Sequence, residues 1–116
     1  MGGDPMKVAG IGCRNDTPLA ALTQAVAKLD ADILAGIAIR APLLEQLSQA
    51  LDLPLQIVEI AGIETPSQSP RIQALHATGS VAEAAALVAA GPTAKLTQPR
   101  IVSECGRITI AIAEVS

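Results

Sequence analysis

Apolar positions along the chain fall into short continuous runs that alternate with stripes of helical spacing. "KVAGIGC" (7–13) is an apolar run closing on glycine and cysteine, which predicts a strand. Thr17 and Pro18 follow at positions suited to the N-cap and first turn of a helix. Leu19, Leu22, Val26 and Leu29 then recur with helical period and form one buried stripe. "DILAGIAIR" (32–40) reads as a second strand, after which Pro42 opens a helix whose Leu44, Leu47 and Leu51 share a face. "PLQIVEI" (54–60) is the third strand. Strands alternating with helices in this way are the signature of parallel crossover units.

The second half is less regular. Residues 61–79 hold two prolines and little periodicity, with one short helical turn expected at Ile72 to His76. A stretch of this length is either a lid over a site or a surface crossover, and the crossover is the commoner case. "SVAEAAALVAAG" (80–91) is a marked helix, because Ser80 and Glu83 form a capping box and Gly91 stands where a helix stops. "RITIAIAEV" (107–115) places Ile108, Ile110 and Ile112 on one face and Thr109, Ala111 and Ala113 on the other, which fits a strand buried on both faces. "AKL" (94–96) adds a short strand. The expected fold class is α/β: a single three-layer α/β/α domain with a mostly parallel or mixed sheet of about five strands. Residues 6–116 form that domain, with 1–5 as a leader or disordered N-terminus.

Composition narrows the chemistry. The 116 residues are 50% hydrophobic and 16% charged, which suits one compact domain. There is no Phe, Tyr or Trp, so Leu, Ile, Val and Ala must fill the core and helices can approach the sheet closely. The same absence argues against stacking platforms for nucleic-acid bases and aromatic cages for quaternary ammonium groups. A net charge of −3 argues against general polyanion binding, so an anionic ligand must be held by local donors. Cys13 and Cys105 form neither a CxxC pair nor a disulfide framework. No signal peptide or membrane-length apolar run is evident, so a reducing cytoplasm is the expected compartment, with no membrane and no nucleic acid as partner. No cofactor and no metal site is expected, because Cys13, Cys105 and His76 would have to meet by coincidence.

The stretch "VAGIGCRNDTPLAAL" (8–22) carries the most suggestive chemistry. It departs from a dinucleotide fingerprint, since Asn15 stands where the third glycine belongs and Arg40 where the acidic residue belongs. It has no phosphate-loop GK pair, and Leu19 occupies the position of a cysteine phosphatase's arginine. What remains is a helix start beyond a strand, with free amides, Gly10 and Gly12 for close backbone approach, and Arg14 as a fork for a carboxylate. The plain alternative is a tight turn with a solvated arginine. Cys13 at this helix start is either an activated nucleophile or a buried inert thiol. Gly79 and Ser80 supply a second helix start, and Arg100 and Ser103 precede the last strand.

"GIGCRNDT", "TGSVAEAAALVAAG" and "PRIVSECGRITIAIA", in this order and spacing, resemble the CobE/CbiG C-terminal domain family of cobalamin biosynthesis. The resemblance spans residues 6–114. The family pattern falls on Gly12, Cys13, Arg14 and Thr17, on Gly79, Ser80 and Glu83, and on Pro99, Arg100 and Ser103. It departs at Asp16, where glycine is usual, and at Ala20 and Ala21, where acidic residues are frequent.

The resemblance implies a role in making the corrin ring. In two-part members this domain accompanies another, and the whole protein is associated with opening a lactone on a cobalt-precorrin during ring contraction, releasing a two-carbon fragment. This chain looks like the stand-alone form of the aerobic route. The implied ligand is a carboxylate-rich corrin or precorrin intermediate, with Gly12, Cys13, Arg14, Asn15, Thr17, Gly79, Ser80, Glu83, Arg100 and Ser103 as its binding residues. Other cobalamin-biosynthesis enzymes are the implied partners. A carrier role and a hydrolytic role both stand; no residue is assigned as catalytic, and Cys13, His76 and Glu83 are the ones to test. The alternative is a small nucleotide-binding module using the Gly10 to Thr17 loop.

Overall fold

The computed structural model describes residues 6–14, 16–60, 81–91, 93–102 and 108–115, the side chains of 99 and 100 excepted. Strand β1 (Met6–Cys13) leads to helix α1 (Leu19–Ala27) and strand β2 (Ile33–Gly36). A short 3-10 helix (Ala38–Arg40) then runs into α2 (Ala41–Leu51), followed by β3 (Leu55–Ile57). Helix α3 (Val81–Ala90) and the strands β4 (Lys95–Val102) and β5 (Ile108–Val115) complete the described elements. The strands form one mixed sheet in the order β3-β2-β1-β5-β4. β1, β2 and β3 are mutually parallel, and β5 runs antiparallel to both β1 and β4.

The two faces of the sheet are built from different residues. Ala9 and Ile11 of β1, Leu34 of β2 and Ile108, Ile110 and Ile112 of β5 pack against Leu22 and Val26 of α1 and Leu44 and Leu47 of α2. Each of the large side chains buried there contributes about 1.5–3 kcal/mol through loss of water contact. Val8 and Ala35 lie on the other face, against Val81, Ala84 and Ala85 of α3. The result is the three-layer α/β/α arrangement that alternation of strands and helices predicts, and β5 is buried on both faces.

α3 sits close to the sheet because the strands offer it small residues. A Cβ on Gly10 would fall on the carbonyl oxygen of Ala82 and lie 2.6 Å from the backbone nitrogen of Ala86. Gly10 therefore makes room for a helix backbone, and a ligand cannot use that space.

Several boundaries differ from the sequence expectation. The second strand ends at Gly36 instead of running to residue 40, because the chain turns there: the amide of Arg40 donates to the carbonyl of Ile37 at 3.0 Å. Leu44 of α2 packs into the space over Gly36, so the returning helix crosses the sheet at that point. An apolar run of Ile and Ala suits this turn as well as it suits a strand. β3 has only three residues and lies at an edge. β4 is longer than the three residues expected and carries Pro99 within it. Its pairing with β5 shifts register between Gln98 and Ile101, and an edge strand accommodates a proline at such an irregularity.

Thr17 does not cap α1. Its hydroxyl donates to the carbonyl of Arg14 at 2.7 Å, and Pro18 takes the N-cap position, its carbonyl accepting from the amides of Ala21 and Leu22. Gly91 ends α3 as expected, with φ at 105° and its amide donating to Leu87. Residues 61–79, with the short turn at 72–76, and the Ser80 half of the capping box lie outside the described residues.

Candidate functional site

One rim of the sheet collects the features that recognise ligands in open α/β folds. β1 and β2 are parallel and end there at Cys13 and Gly36, and Gly36 is level with Ile57 of β3. β5 enters at the same rim, Ile108 pairing with Cys13, and β4 leaves at Val102, opposite Thr109. Ligands in such sheets bind outside the carboxyl ends of the parallel strands, where helix N-termini present unpaired amides. α2 begins here directly after Arg40. α3 begins here too, since a Cβ on Gly12 would lie 3.4 Å from that of Val81. Neither α1 nor α2 has an acidic residue in its first turn to compete with an anion.

The turn after β1 is tightly held. Arg14 carbonyl accepts from both the amide and the hydroxyl of Thr17, which is buried. The Arg14 side chain is exposed and has neither a hydrogen bond nor an ion pair among the described residues. The hydroxyl of Thr109 donates to the Gly12 carbonyl at 3.3 Å, and the same oxygen occupies the space a side chain at 12 would need. Gly12 thus serves packing of the strand end against β5 and α3.

Cys13 is a free, partly buried thiol. Burial pushes its pKa above the ordinary 9.0, and the nearby Arg40 guanidinium opposes this only in part. Of the two readings of this cysteine the structure favours the unactivated thiol.

Arg40 is the residue that sequence reasoning missed. Its Nε donates to the Cys13 carbonyl at 2.8 Å and its Nη1 to the Ile39 carbonyl at 3.4 Å. In the sequence it counts only as a departure from the dinucleotide pattern. The available signal was its place just beyond the second strand, ahead of a helix start, the region from which that fold reads its ligand.

Large apolar side chains are exposed on the same rim: Ile39 is 64% and Val102 53% accessible, with Ile57 and Ile101 also exposed. Glu83, by contrast, is 0% exposed within the first turn of α3, so it does not face solvent on the rim. Asn15, Gly79, Ser80 and Ser103, the side chain of Arg100, and His76 and Cys105 lie outside the described residues. Among the described residues no three of His, Cys, Asp and Glu are grouped as a metal site would need. No described helix is long and apolar enough to cross a membrane.

Comparison with known proteins gives this rim a context. The family model described as "Cobalamin synthesis G C-terminus" matches residues 7–113. The crystal structure of CobE, a protein from the cobalamin biosynthetic pathway, superposes with a TM-score of 0.78 at 26% identity, covering 100% of this chain and 94% of that one. Cobalamin biosynthesis protein chiG from Agrobacterium tumefaciens gives 0.66 at 32% identity, covering 93% of this chain and 97% of its own. A Sulfolobus solfataricus protein described as a homolog of cobalamin biosynthesis protein G shares the fold at 0.74 and 23% identity, with this chain spanning 38% of its length. No curated protein matches the chain. The resemblance carried by the three sequence motifs is borne out: this chain belongs to the cobalamin synthesis G C-terminus family and is a protein of cobalamin biosynthesis.

Proposed function

We propose that the domain binds a carboxylate-rich corrin or precorrin intermediate on this rim and carries it between enzymes of the pathway. The observation that carries the reading is Arg14, exposed and without a partner among the described residues, at the rim where α2 and α3 begin and where Ile39, Ile57 and Val102 are bare. A corrin precursor presents acetate and propionate arms around an apolar ring. Guanidinium and free amides match the arms, since charge-assisted hydrogen bonds to carboxylates are strong and directional. Branched aliphatic side chains cover the ring face without stacking. In this reading Cys13, Asn15 and Thr17 shape the first helix start, Gly79, Ser80 and Glu83 the second, and Arg100 and Ser103 add donors from the β4 side.

Binding is favoured over lactone opening or hydrolysis at the described residues. Such a step needs a base or a nucleophile, and the Cys13 thiol, with its pKa raised by burial, is protonated near neutral pH. The nucleotide reading loses its support at Gly10, whose open side is filled by α3.

Spectral titration tests the proposal. The chain has no aromatic residue, so the corrin bands are free of protein absorbance. Cobyrinic acid, with free carboxylates, is expected to bind and to be released by salt, while cobinamide, whose arms are amides, binds far more weakly. Equal binding of the two corrins, or binding of ATP alone, would contradict the reading.

A further inference from the structure

We infer that Arg40, whose Nε is tied to the Cys13 carbonyl while its guanidinium meets no carboxylate among the described residues, is a second carboxylate-binding residue of the rim and grips another acidic arm of the macrocycle held by Arg14. This rests on the corrin-binding reading above. Two backbone carbonyls, those of Cys13 and Ile39, take Nε and Nη1 and fix the fork. Among the described residues the Nη2 donors have no partner, and no carboxylate lies within ion-pair distance of them. A guanidinium fixed in this way loses little freedom when it takes a carboxylate, which makes it a better clamp than a mobile surface arginine.

Its position gives a second argument. Arg40 immediately precedes α2, whose first turn lacks an acidic residue, so the helix adds the positive end of its dipole beside the guanidinium. Arg14 follows Cys13 directly, and Arg40 binds the carbonyl of Cys13 itself. Arg14, exposed, thus leaves the chain next to the carbonyl that anchors the half-buried Arg40. A ligand with a single carboxylate satisfies one of them, and a ring bearing several satisfies both. The field of Arg40 also reaches the Cys13 thiol, which supplies a built-in reporter.

The test uses the full chain with Cys105→Ser, so that Cys13 alone reacts with iodoacetamide. Alkylation is followed across alkaline pH with and without cobyrinic acid. A carboxylate on Arg40 cancels the charge that favours the thiolate, so the midpoint of Cys13 reactivity moves upward when ligand binds. Simple cover of the thiol also raises the midpoint, by desolvation, but does so equally in Arg40→Gln, so the assignment requires the ligand-induced shift to be smaller in that variant. In parallel, Arg40→Gln is expected to weaken cobyrinic acid about ten- to hundredfold, and Arg40→Lys to recover only part of the loss. Cobyrinic acid that binds without moving the midpoint overturns the assignment, as does a folded Arg40→Gln protein with unchanged affinity. If the parent protein binds no cobyrinic acid at all, the corrin-binding reading itself fails and takes the assignment with it.

Discussion

Gly10 lies under α3, facing the carbonyl of Ala82 and the amide of Ala86. Backbone atoms cannot swing aside as a side chain can, so Gly10→Ala must push the helix off the sheet. We expect a loss of about 3 kcal/mol or more in urea unfolding. Gly36→Ala meets only the tip of Leu44, which has other rotamers, and should cost about 1–2 kcal/mol. Equal losses at the two sites would show that α3 is not seated as described. These glycines also show why the first loop is ambiguous in sequence. A Gly-x-Gly ahead of a helix makes space for a phosphate or for another helix, and only the fold shows which. The absence of aromatic residues was the better guide, since it predicted close helix approach. Arg14 was legible because an arginine beyond a strand end has few places to go but outward. Arg40 was not, because the bond that fixes it spans 27 positions in sequence.

α3 ends where the sequence predicts. Its end at Gly91 depends on a positive φ, and among the described residues beyond its chain neighbours no atom lies within 4 Å of where a Cβ would stand. Gly91→Ala should therefore act through backbone strain alone, costing about 1–2 kcal/mol, with Gly91→Asn costing less. A neutral Gly91→Ala in denaturant unfolding would rule out strain as the reason for this glycine. The three described helices were legible from local signals, leucine spacing for α1 and α2 and the stop at Gly91 for α3. The strands were less legible at their ends. β2 is cut short where α2 must cross, and β4 extends through Pro99 because it lies at the sheet edge, where a missing amide costs little. Both outcomes depend on neighbours distant in sequence. Thr17 was misread for a related reason: its hydroxyl had two acceptable partners one turn apart, and the tight bend after β1 selects the Arg14 carbonyl.

At the scale of the molecule, the two rims of the sheet differ in kind. Lys7, Lys28 and Lys95 lie toward the rim where β1 begins, together with Asp30, Asp32, Asp52 and Glu114; Lys7 pairs with Asp30 at 3.6 Å, and its amide donates to Asp32 at 2.9 Å. That rim is mixed in sign. The opposite rim holds Arg14 and Arg40 with bare aliphatic side chains beside them. A net charge of −3 therefore does not preclude an anionic ligand, because Arg14 and Arg40 stand together at this rim, beside the acids Asp16 and Glu59. The family and the three-layer architecture were both readable from the order of motifs, whereas the polarity of the rims needed the fold. Mapping of isoleucine and valine methyl resonances during titration with cobyrinic acid tests the central claim most directly. Ligand on the proposed rim shifts Ile39, Ile57 and Val102 and leaves Val115, at the far end of β5, in place. Shifts confined to Val115 and its neighbours, or none at all with ligand bound, would contradict it.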